Sequence, residues 1–283
     1  MEDRKKSLLV VSIVLAFLFV GGITYWIISI NNEKKQLEAY EQLQEEQAAV
    51  EEPAVEETIE PETVEEVDIL TTLGITVPEK DIDWETYASE QPNMYAWIYV
   101  PDATSKGDVD YPVFQHPDDN SYYLNYNMDG SKGFPGCIYT ELYNSKDFTD
   151  PNTVMYGHNL SAGGMFSSLH DFEDEDFFYG DNHYIFVYTP DYTYVYEIFS
   201  VVEYSNIHLL DNFDMTNDEV FEDFITDLKN CNIGVNNYKD DVEVGAGDKI
   251  LTLSTCTSAH DGNYRYLVVG VLLNPLEDGE ISE

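Results

Sequence analysis

Apolar residues are distributed in two different ways along this chain. Residues 7–30, SLLVVSIVLAFLFVGGITYWIISI, are almost uninterruptedly apolar. At 1.5 Å per residue, such a helix is long enough to cross a bilayer core of roughly 30 Å. A cleaved signal peptide has an apolar stretch of only about 7–15 residues before a small-residue cleavage site, whereas this run ends in Trp26 and bulky isoleucines. The pattern predicts an uncleaved transmembrane helix. From residue 81 onward the apolar residues fall in short runs rich in β-branched and aromatic side chains, bounded by Gly, Pro, Asn and Asp. AWIYV (96–100), YPVF (111–114), CIYT (137–140), TVMY (153–156), YIFVYT (184–189), TYVYEIFSVVEY (193–204), KILTLST (249–255) and YLVVGVLL (266–273) predict eight strands.

Helical signals are few. Asp83 is placed to cap a short helix over 84–91 that stops before Pro92. Thr216 and Glu219 form a capping box for a helix over 216–230, whose Val220, Phe221, Phe224, Ile225 and Leu228 share one face. MFSSLHDF (165–172) is a weaker helical segment. Eight strands without regular βαβ alternation point to a mostly β fold closed as a barrel, not to a parallel sheet. Residues 36–68 contain 13 acids and no base, with Pro53 and Pro61 among them, the composition of a solvated, self-repelling stalk. The expected layout is a tail at 1–6, an anchor at 7–30, an acidic stalk at 31–80, the folded domain at 81–275 and an acidic tail at 276–283.

Charge gives this layout an orientation. Arg4, Lys5 and Lys6 precede the apolar run and only Lys34 and Lys35 follow it, a bias that leaves the N-terminus cytoplasmic and the domain outside a single-pass cell-membrane anchor. Beyond Lys35 stand 8 of the 13 basic residues and 52 of the 55 acids, a net of −44. This excludes binding to nucleic acid through basic patches. Cys137, Cys231 and Cys256 are the only cysteines, too few for a disulfide framework or a Cys-rich zinc site, and the odd number leaves at least one free thiol. The acid run at 173–176 has no calcium-loop spacing, and no cofactor or metal is implied.

Three residues carry candidate chemistry. Cys256 ends the apolar run KILTLST and is followed by the polar segment TSAHDGNY, so its thiol is expected at the rim of the barrel. Taken alone it is as readily a buried structural cysteine. Arg265 is the only arginine beyond Arg4 and lies nine residues after Cys256. A hairpin turn would bring its planar, permanently charged guanidinium near the sulfur, although a plain salt bridge to one of the many carboxylates would explain it too. His158, in VMYGHN, follows a strand at a glycine turn, where an imidazole can serve a nucleophilic thiol as acid or base. His116, His170, His183 and His208 sit in contexts of surface or core packing, and His260 is a minor alternative base.

TLSTC at 252–256, YGHN at 156–159 and Arg265 on the next strand, with His before Cys before Arg, resemble the sortase family. WIYVP, DYPVFQ, YYLNYNMDGSKGFPG and the helix before the Cys-bearing strand resemble class B sortases in particular. The similarity covers roughly residues 81–275. It implies an eight-stranded barrel with N-terminal helices on the outer face of a Gram-positive type of membrane. It also implies a transpeptidase in which Cys256 attacks the Thr carbonyl of a C-terminal sorting motif in a secreted protein, and an amine of a cell-wall precursor or pilin resolves the thioacyl enzyme. His158 would be the acid/base, while Arg265 and backbone N–H groups would hold the oxyanion. Cys137, Thr140 and Ser258 depart from residue types common in the family.

A papain-like protease has its Cys before its His and a Trp close behind, and neither holds here. The alternative from another class is a catalytically inactive, membrane-tethered binding module, which has no need of Cys256, His158 and Arg265 together.

Overall fold

The computed structural model describes residues 2–48, 69–101, 107–181 and 183–275, with side chains in the first helix described at 15 and 18–45. Nine strands form one sheet: β1 (Met94–Val100), β2 (Val109–Phe114), β3 (Ile138–Thr140), β4 (Asn152–Tyr156), β5 (Tyr184–Tyr188), β6 (Thr193–Ser205), β7 (Asn236–Tyr238), β8 (Ile250–Cys256) and β9 (Tyr264–Leu272). Their order is β5-β1-β2-β3-β4-β8-β9-β6, and β6 pairs back onto β5, so eight strands close a barrel while β7 adds to β6 outside the ring. The pairs β2–β3 and β4–β8 are parallel and the others antiparallel, which makes the barrel mixed. All eight expected strands are present. The short polar β7 has no alternation to announce it and exists through its pairing with β6.

Period-2 alternation divides each wall strand between two cores. Leu251 and Leu253 of β8, Tyr266 and Val268 of β9 and Met155 of β4 point into the barrel. Their neighbours Ile250, Leu267, Val269, Val271 and Val154 face outward, where a helix covers them. The helices are α1 (Glu2–Ala48), α2 (Ile69–Leu73), α3 (Trp84–Glu90), α4 (Tyr122–Asn125), α5 (Glu175–Gly180), α6 (Leu209–Asn212) and α7 (Asp218–Asn230). α7 supplies that cover through the buried Phe221, Phe224, Ile225 and Leu228. Fully burying each such side chain stabilises by roughly 1.5–3 kcal/mol.

Three helical expectations meet the structure at different levels. α3 is capped as expected, Asp83 Oδ1 accepting from the Thr86 N–H at 2.9 Å. α7 starts at Asp218, two residues later than expected, because Asn217 is its cap and Thr216 instead donates to Asp214 Oδ1 at 2.6 Å. The segment 165–172 yields only a 3₁₀ turn, Ser168–Glu173.

α1 runs through the apolar stretch 7–30 and continues to Ala48. Among the described residues no helix is long and apolar enough to cross a membrane; the expected anchor is not found there, and part of its side chains lie outside those described. Further along, α1 docks on the barrel: Gln36 and Tyr40 are buried, and Gln44 donates to the Asp110 carbonyl at 2.7 Å. The stalk expected at 31–80 thus includes a docked stretch, while its residues 49–68 and the tail 276–283 lie outside the described ones.

Candidate active site

Barrel closure brings the three candidate residues together from distant parts of the chain. β4 runs parallel to β8 with Tyr156 opposite Ser254, and the register continues past the strand as the Gly157 N–H donates to the Ser254 carbonyl at 3.2 Å. His158 is thereby delivered beside the end of β8. Gly157 is required at this crossing, because a Cβ there would come within 2.5 Å of Ile138 Cδ1 and 2.7 Å of Phe166 Cδ2. On the other flank β8 and β9 are antiparallel and their last pair is Cys256 opposite Arg265. Cys256 shares the outward face of Ile250, and Arg265 that of Leu267, so both side chains leave the same face of the wall.

That face opens into a cleft of about 400 Å³ lined by His158, Cys256 and Arg265 together with Tyr156, His208 and Leu124. Cys256 is half-buried and its thiol is free. His158 is half-buried with Nε2 2.9 Å from the Leu124 carbonyl oxygen, and the Phe134 ring meets it edge-on at 4.8 Å. A carbonyl only accepts, so Nε2 carries the proton and Nδ1 remains for exchange with substrate or thiol. Burial lowers the His158 pKa, partly opposed by the Leu124 hydrogen bond, and so favours the neutral ring. Arg265 Nη1 donates to the Tyr264 carbonyl at 2.8 Å. Among the described residues no carboxylate pairs with it, which leaves its other N–H groups for the cleft.

The remaining histidines separate clearly. His260 is exposed in the loop beyond β8 at φ 52. His208, read from the sequence as packing, lines the cleft and binds Glu141 Oε2 at 2.6 Å. His170, read the same way, lies 3.0 Å from the Cys256 carbonyl oxygen; its sequence neighbours offer no signal of this, since 86 residues separate the partners. Of the positions that depart from the family's common types, Cys137 is buried against Tyr40 and Thr140 pairs with Tyr95. Ser258 donates to Glu173 Oε1 at 2.7 Å, so an acid reaches that place from elsewhere in the chain. Among the described residues no group of three His, Cys, Asp or Glu side chains is arranged to hold a metal.

A Sortase domain profile matches residues 98–273. Sortase B of Listeria monocytogenes is 35% identical over 172 residues, covering 60% of this chain and 65% of that protein, just under two thirds of its length. Sortase B of Staphylococcus aureus is 26% identical over 187 residues, covering 66% of this chain and 72% of that protein. The X-ray structure of Clostridium perfringens sortase B superposes with a TM-score of 0.57 at 29% identity, over 67% of this chain and 99% of that one. A Staphylococcus aureus sortase B–substrate complex superposes with a TM-score of 0.57 at 26% identity, over 68% of this chain and 85% of that one. Barrel order, cleft and sequence profile agree: the chain belongs to the sortase family, and the relatives it matches are class B sortases.

Proposed function

We propose that the chain is a cysteine transpeptidase that cleaves a C-terminal sorting motif of secreted proteins and transfers the acyl group to an amine of a cell-wall precursor or pilin. The observation that carries this reading is the pairing of Cys256 with Arg265 at the end of β8–β9, in a cleft that His158 also lines. Nδ1 of the neutral His158 takes the thiol proton as sulfur attacks the threonine carbonyl of the motif. The oxyanion that forms lies against the Arg265 guanidinium and backbone N–H groups. Collapse breaks the C–N bond, and His158 returns its proton to the departing amine, leaving a thioester on Cys256. The incoming amine gives a proton to His158 as it attacks, and the thiolate leaves and recovers that proton.

The same proposal places the domain outside a cell membrane, tethered by residues 7–30. The apolar run and the lysine and arginine bias around it support this placement. Membrane fractionation with protease protection of intact cells tests it: a soluble chain, or a domain shielded from external protease, overturns it.

The activity is tested with the full chain in detergent and a library of fluorogenic sorting-motif peptides, with and without an amine acceptor. Cleavage of one motif, an added product with amine, and loss of turnover in Cys256→Ala, His158→Ala and Arg265→Ala support the reading. No turnover, with Cys256 inert to thiol reagents, overturns it in favour of the binding module.

A further inference from the structure

Two side chains from the segment after β4 converge on the main-chain carbonyl of the nucleophile. Asn159 Nδ2 donates to the Cys256 oxygen at 3.4 Å, and His170 Nε2 lies 3.0 Å from the same atom. His170 is only 8% exposed and stacks on the Tyr266 ring of β9 at 4.3 Å. The Tyr266 hydroxyl in turn donates to the Leu169 carbonyl at 3.0 Å, fixing the 3₁₀ turn that carries His170. On the other side of the ring, Nδ1 meets Glu173 Oε1 at 2.6 Å and Ser258 Oγ at 3.0 Å, and the Ser258 hydroxyl is used in donating to Glu173. The Cys256 carbonyl only accepts, so Nε2 is the ring nitrogen that donates to it. The turn, the end of β8, β9 and the loop after β8 thus surround a histidine whose two ring nitrogens are both engaged, one of them with the nucleophile's own backbone.

The place of this contact gives it a role. The ladder between β8 and β9 ends at Cys256–Arg265, and the polar loop that follows has no strand partner to hold the next peptide plane. We infer that His170 is a positioning residue for acyl transfer: with Asn159 it clamps the Cys256–Thr257 peptide, and Glu173 and Ser258 hold the imidazole for that task. In a trans peptide the C=O and N–H point in opposite directions. Fixing the carbonyl toward His170 therefore fixes where the Thr257 N–H points and, with it, the direction in which the Cys256 side chain leaves the strand.

The test uses the full chain and two variants. His170→Gln keeps an N–H donor near the position of Nε2; His170→Leu keeps bulk but removes the donor. Three quantities are read: kcat and KM on the cleaved motif peptide, the pH dependence of Cys256 alkylation by iodoacetamide mapped by mass spectrometry, and Tm. The inference rests on Cys256 being the nucleophile, which Cys256→Ala tests separately by its turnover; alkylation needs no substrate and reads the clamp even if no motif is found. His170→Leu is expected to lower kcat about tenfold or more with KM within about twofold and to shift the alkylation profile, and His170→Gln to restore most of both. Equal losses in the two variants, an unmoved alkylation profile, or losses that follow Tm alone would overturn it.

Discussion

Nε2 of His158 is held 2.9 Å from the main-chain oxygen of Leu124, 34 residues upstream. The catalytic candidate is therefore oriented by a backbone atom of α4. The chain around Leu124 is itself tied down, since Cys137 N–H donates to the Tyr123 carbonyl at 3.0 Å and Gly136 N–H to Asn127 Oδ1 at 2.8 Å. Placement of the imidazole thus depends on the whole segment between α4 and β3.

Burial of His158 predicts a pH dependence with a definite sign. Its folded-state pKa is lowered, while the unfolded chain binds the proton near about 6.5. Below that value the unfolded state binds more protons, so stability falls as pH drops from about 6.5 toward the folded pKa. Melting curves of the parent and of His158→Asn should show the parent losing stability relative to the variant between about pH 7 and 5. A parent that gains relative stability on acidification would mean that the ring is charged in the fold.

Arg265 makes backbone hydrogen bonds and has no carboxylate partner among the described residues, so its removal should affect chemistry far more than folding. Arg265→Ala is expected to lower kcat/KM about 10²- to 10³-fold, the range found for loss of one oxyanion donor, with a stability change within about 1 kcal/mol. Arg265→Lys should recover only part, because an ammonium lacks the planar fork. Steady-state kinetics beside thermal melts check both statements, and a large fall in Tm would assign Arg265 a structural role instead.

Gly136 joins stability to the site. Its φ is +69°, and a Cβ would lie 2.6 Å from the Tyr123 carbonyl oxygen and 3.5 Å from His158 Cδ2. The overlapping atom is backbone and cannot rotate away. Gly136→Ala should cost about 2–4 kcal/mol, from left-handed strain together with overpacking, and should lower kcat as Leu124 and His158 shift. Denaturant unfolding and turnover measure the two effects.

Docking of α1 is open to a similar test. The Tyr40 hydroxyl donates to the Gly136 carbonyl at 3.0 Å and lies 3.3 Å from Cys137 Sγ, in a fully buried contact. Tyr40→Phe removes the donor to the Gly136 carbonyl and should cost about 1 kcal/mol. Burial also pushes the Cys137 thiol up to about 12, so at about pH 8 a thiol reagent should label Cys256 in the native protein and reach Cys137 only on unfolding. Native labelling of Cys137 would show that α1 does not cover it.

What could be read from the residues alone follows from local chemistry. Runs such as KILTLST and YLVVGVLL announce strands because pleated, buried walls select β-branched and apolar side chains within a few residues of one another. The helix at 216–230 announced itself through its stripe of Phe221, Phe224, Ile225 and Leu228, though not through its true cap: Asn217 and Thr216 are both able to cap, and only the path of the chain decides between them. Cys256 and Arg265 could be singled out as candidates because the chain has only three cysteines and one arginine beyond Arg4, and His158 was chosen among six histidines by the resemblance of its YGHN segment and of the order His, Cys, Arg to the family.

The tertiary structure decided the rest. β7 is a strand only because β6 offers an edge, and α1 is buried around Tyr40 only because the barrel presents Gly136 and Tyr111 to it. The parallel pairing of β4 with β8 set His158 beside Cys256 across nearly a hundred residues, and the same closure brought the carbonyl of Leu124 to one histidine and the carbonyl of Cys256 to another. Backbone carbonyls are identical at every position of a sequence. Which of them meets a given imidazole is set by the path of the folded chain and leaves no mark on the residues nearby.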